Sequence, residues 1–79
     1  MDYSKRAHDC ILVEFGAVKV NAREWSPAIW VNEADEPVEI GLTNFGDRDR
    51  AVTAARRMAR KGYETPIRHR VALLVEREP

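Results

Sequence analysis

The chain has few of the residues from which catalytic and metal centres are usually built. It has one cysteine, Cys10, which excludes an internal disulfide and a cysteine-built zinc site. Without a disulfide frame it reads as intracellular and cytoplasmic. Its four glycines stand apart in no phosphate-cradling loop, and no serine occupies a Gly-x-Ser-x-Gly setting. There are two histidines. His8 and Cys10 share a side if that segment is extended, but two ligands do not make a zinc site. His69 alternates with Ile67 and Val71 as a sheet histidine would. No metal or cofactor is expected, and no enzyme. No apolar run precedes Cys10, so a signal peptide is not expected. Nor does any run approach the roughly 20 residues that span a bilayer, so no membrane partner is expected. Internal repeats and low-complexity tracts are also lacking.

With 79 residues the chain has the size of one domain, and a domain this small buries only about 60% of its unfolded surface. An apolar fraction of 44% argues for a folded protein. Residues 1–8 read as a flexible lead-in and residues 9–79 as one α+β domain.

Apolar spacing gives the elements. Ile11, Val13 and Phe15, then Val18 and Val20, alternate with other residues over Cys10–Asn21. Gly16 in the middle reads as a bulge in one bent strand, the favoured reading, or as part of a tight turn between two short strands. Ser26-Pro27 marks a loop, and Ala28–Asn32 a second strand. Glu33-Ala34-Asp35-Glu36-Pro37 is a turn. Val38, Ile40 and Leu42 alternate with Glu39, Gly41 and Thr43 in a third strand that pairs with the second as a hairpin. Asp47 is a suitable N-cap and Asp49 suits the first helical turn. Ala51, Val52, Ala55, Met58 and Ala59 form a helical apolar stripe, and Gly62 with Pro66 ends the helix, predicted over 47–61. Residues 67–76 form the last strand, with Ile67, Val71, Leu73 and Val75 on one face and Arg68, Arg70, Ala72 and Leu74 on the other. The expected fold is a three- to four-stranded, mostly antiparallel sheet with one helix on one face, in the order strand-strand-strand-helix-strand. One helix covers one side of such a sheet. The other side, where Trp30, Glu39, Thr43, Arg68 and Arg70 are expected, is left to solvent or a partner.

Charge is unevenly distributed. Thirteen acids and thirteen bases cancel, yet no base occurs from Glu24 to Asp47, while arginine dominates from Arg48 to Arg70. On the helix, Arg50, Arg57 and Lys61 fall on one line and Arg56 and Arg60 on the next. Arginine's planar fork suits carboxylate and phosphate alike. Opposed patches on a small domain suit docking. The candidate sites are therefore the basic helix face (Arg50, Arg56, Arg57, Arg60, Lys61), the sheet face (Trp30, Arg68, Arg70) and the acidic hairpin (Glu33, Asp35, Glu36, Glu39). In size and lack of catalytic motif the chain is similar to small phage and mobile-element proteins that inhibit host defence, anti-CRISPR proteins among them. That resemblance of type implies inhibition by covering a surface, and it transfers no residue.

The leading expectation is a non-enzymatic protein-binding module or inhibitor that docks through these patches. The alternative is a nucleic-acid-binding domain using the basic helix, with Trp25 or Trp30 as stacking platforms. The neutral net charge and the acidic stretch weigh against that alternative. A homodimer that shields the open sheet face is a third reading.

Overall fold

The computed structural model describes residues 10–63 and 71–78. The lead-in, His8, and the 67–70 part of the last strand with Arg68, His69 and Arg70 lie outside them. The elements are β1 (Cys10–Asn21), β2 (Glu24–Val31), β3 (Glu39–Ile40), helix α1 (Arg48–Tyr63) and β4 (Val71–Glu76). They form a four-stranded sheet in the order β3-β2-β1-β4, with α1 across one face. This is the expected α+β architecture. The sheet is mixed: β1–β2 and β2–β3 are antiparallel, while β4 runs parallel to β1.

Of the two readings of this segment the structure shows the single strand, β1, but its irregularity is not at Gly16, which pairs regularly with Ala28. The register shifts between Lys19 and Asn21 instead, beside the turn into β2. There the Asn21 carboxamide oxygen accepts from the Arg23 amide at 2.9 Å, and Asn21 Nδ2 donates to Glu24 Oε1 at 2.8 Å. Gly16 has a different task. A Cβ there would lie 3.3 Å from the Trp30 ring, so glycine lets that ring lie close across the strand.

β2 begins four residues before the expected strand and takes in Ser26 and Pro27. The Pro27 carbonyl accepts from the Gly41 amide at 2.8 Å. Backbone groups of one residue point to one side of a strand, so the N–H that proline lacks would also face β3, and no bond to β1 is lost. Ser26 Oγ lies 3.2 Å from the Gly41 carbonyl and 2.7 Å from Asn44 Oδ1. Its single proton serves one of them.

The core forms where α1 crosses the two central strands. Val13, Phe15 and Ile29 meet Val52, Ala55 and Ala59, and Ile11, Ala17, Met58, Tyr63, Ala72 and Leu74 pack around them. Alanine at three inward helical positions lets the helix sit close on the sheet. Fully burying a side chain such as Ile29 stabilises by about 1.5–3 kcal/mol. The Asp49 amide donates to Asp47 Oδ1 at 2.9 Å, the expected N-cap. The C-terminus differs from expectation: α1 runs through Gly62 to Tyr63, because Tyr63 packs on the core and holds the last turn.

Both edge strands present the opposite face to the one expected. Register places Ile11 beside Ala72 and Val13 beside Leu74, which puts Ala72 and Leu74 on the helix side and leaves Leu73 and Val75 on the open side. Likewise Glu39 lies opposite Ile29 and Ile40 opposite Ala28, so Glu39 is on the helix side and Ile40 on the open one. The helix packs mainly on the two middle strands and also meets the helix-side residues of β4. Alternation at an edge therefore says which residues share a face, but not which face is covered.

Candidate functional site

All five candidate cations of α1 are exposed. On the β4 side, Arg56 and Arg60 border an open cleft of about 350 Å³ whose floor is Phe15 and Leu74. The Arg56 guanidinium carbon sits 5.4 Å from the centre of the Phe15 ring. On the outer side, Arg50 and Arg57 border a cleft of about 330 Å³ with Phe45, Thr53, Ala54 and Asp49. On the β3 side, Lys61 shares a cleft with Met58, Gly62 and Glu39. Two of these three clefts already hold a carboxylate in their walls. The cleft of Arg56 and Arg60 does not.

Phe45 is placed by an exchange of two backbone hydrogen bonds with Trp25, both 2.7 Å. Trp25 is half-buried, with Lys19 Nζ 5.6 Å from its ring centre. It pins the segment that leads into the helix.

The acidic hairpin divides. Asn32 and Glu33 have φ of 54° and 59°, and the Ala34 amide donates to the Val31 carbonyl at 3.2 Å. This is a tight turn with two successive left-handed residues. Asparagine tolerates that conformation, and here its Oδ1 accepts from the Leu12 amide at 3.3 Å. Glu33 takes it at a cost in strain. Asp35 and Glu36 follow on the same exposed loop. Glu39 is not part of that cluster, since its side chain lies on the helix flank near Lys61.

On the open sheet face Trp30 is only 6% exposed, because the Arg77 guanidinium lies 4.4 Å above its ring centre. Arg77 is held by three further contacts: its amide donates to the Phe15 carbonyl at 2.8 Å, Nη1 donates to the Ala34 carbonyl at 2.9 Å, and Nη1 is 3.8 Å from Glu14 Oε1. What this face exposes is apolar: Val38, Ile40, Leu73 and Val75 are each 47–58% exposed. Arg77 and Phe15 are the residues that sequence reasoning missed here. Phe15 read as plain core. The cue for Arg77 was its spacing of two from Val75, which continues the open-face alternation.

Among the described residues, Arg77–Glu14 is the one ion pair within 4.0 Å. Neither the helix cations nor Glu33, Asp35 and Glu36 are neutralised by one another. No helix among the described residues is long and apolar enough to cross a membrane. Searches of family models, curated proteins and solved structures found no match.

Proposed function

We propose that this chain is a non-enzymatic protein-binding module, or an inhibitor acting by covering a surface, that docks through the basic helix face and the acidic turn. One observation carries this reading. Both charge clusters are exposed, and among the described residues neither has an internal counter-ion. Exposed charge with no internal partner is available to a surface of opposite sign. Strain at Glu33 supports the acidic part, because strained backbone gathers at functional positions and a glycine would meet the turn at lower cost. The exposed apolar residues of the open face provide a desolvated contact area beside the charges.

The test is affinity capture with three forms of the protein: unaltered, Arg56→Glu/Arg57→Glu/Arg60→Glu, and Glu33→Lys/Asp35→Lys/Glu36→Lys. A protein partner held by the first and lost by one triple variant identifies the working patch. Salt-sensitive binding of RNA or DNA, with a slope of roughly three to five phosphates and lost in the arginine triple, replaces this reading with the nucleic-acid one. If neither triple alters any interaction, docking by charge is wrong.

A further inference from the structure

We infer that the outer edge of β4 accepts an extended acidic segment of a partner protein, which joins the sheet as a fifth strand while its carboxylates meet Arg56 and Arg60. This rests on the reading of the helix face as a protein-docking surface and adds the form of the bound segment.

The backbone supplies the first argument. β4 lies at the end of the sheet order, paired only with β1 among the described residues. The Arg77 amide points at β1, bonding Phe15, and backbone groups alternate sides along a strand. The N–H and C=O groups of Ala72, Leu74 and Glu76 therefore point away from β1, towards the edge that no described residue pairs with. Such an edge is a template for one more strand.

The side chains say what that strand must carry. Leu74 forms the floor of the Arg56–Arg60 cleft, and Leu73 and Val75 are about half exposed on the opposite face. A strand laid beside β4 would alternate in the same way. Its residues on the helix side would come beside two guanidinium groups, and those on the other side beside Leu73 and Val75. The fitting partner alternates acidic and apolar residues. Glu76 ends β4 on the helix side but is beyond ion-pair distance of both arginines. A second copy fits less well. Antiparallel pairing of two β4 edges about a two-fold axis puts Arg56 and Arg60 of each copy on the same side of the joined sheet, facing each other as like charges.

The test is a backbone-amide NMR titration of the full chain with a short peptide alternating valine and glutamate. Hydrogen exchange should slow at Ala72, Leu74 and Glu76 and change little at Leu73 and Val75, whose amides already face β1. A peptide N-methylated at alternate residues should bind about tenfold more weakly, and a valine–lysine peptide should not bind. Arg56→Glu/Arg60→Glu changes only exposed positions, and it should reverse the preference between the two charged peptides. Absence of slowing at the three amides overturns the proposal. Equal binding of the N-methylated peptide also overturns it, while leaving docking by charge intact. If a charge-reversed protein binds the valine–glutamate peptide undiminished, both fail. Slowing that grows with protein concentration alone, without peptide, would assign the edge to a second copy and overturn the acidic partner. So would an oligonucleotide that competes for the same three amides.

Discussion

Pro27 stands inside a central strand because its two neighbours accommodate it. Ser26 places a hydroxyl beside the Gly41 carbonyl, which proline cannot bond, and Gly41 leaves room for the ring. A Cβ on Gly41 would lie 2.5 Å from Pro27 Cγ, a separation that side chains do not tolerate without movement. Gly41→Ala should therefore destabilise by about 1–3 kcal/mol, read as a lower urea midpoint with an unchanged slope. Glu33 presents the opposite case. Its left-handed backbone suits glycine, so Glu33→Gly should raise stability by about 0.5–1 kcal/mol. If the acidic turn docks, the same change weakens binding, and a variant that is more stable but binds less would separate the two roles in one protein. Neither effect was legible from sequence. Ser26-Pro27 is a strong loop signal locally, and only the position of β3 on one side of β2 reverses it.

At the scale of elements, the helix was the most legible part, since its cap, its apolar stripe and its basic lines all lie within the continuous stretch Asp47–Lys61. Asp47→Ala removes the acceptor for the Asp49 amide and should cost about 1 kcal/mol. Thermal unfolding would show it as a lower midpoint, and Asp47→Ser should recover most of the loss. The strands were legible as strands, yet the faces of β3 and β4 were not. Val38–Ile40 alternates cleanly, whereas Val71–Val75 is apolar throughout and so marks no face. In both strands the register with a central strand decides which residues meet the helix side: Glu39 in β3, Ala72 and Leu74 in β4. The same geometry changes the candidate site: Glu39 leaves the acidic cluster, and Trp30 lies beneath Arg77 where an open aromatic platform was expected.

Across the whole molecule, a net charge of zero conceals two groups of ions, and among the described residues neither makes an ion pair. The sequence showed the groups. Their lack of pairing among the described residues depends on which flank of the helix each arginine occupies over the sheet. The topology also has a bearing on how the chain assembles. β1 and β2 adjoin in sequence and the helix follows closely, so most of the core can gather from nearby segments. The parallel pairing of Cys10 with Val71 joins opposite ends of the described chain, and contacts between distant segments form slowly. Until β4 arrives, the stretch Ile11–Phe15 presents an apolar strand with one side of its backbone unbonded, a form that recruits other unfinished chains. A chain stopped before Val71 should therefore associate at concentrations where the full chain scatters no light, and light scattering during refolding would measure it. β4 thus has a protective role during assembly: it occupies the edge of β1 on which incomplete chains would otherwise collect.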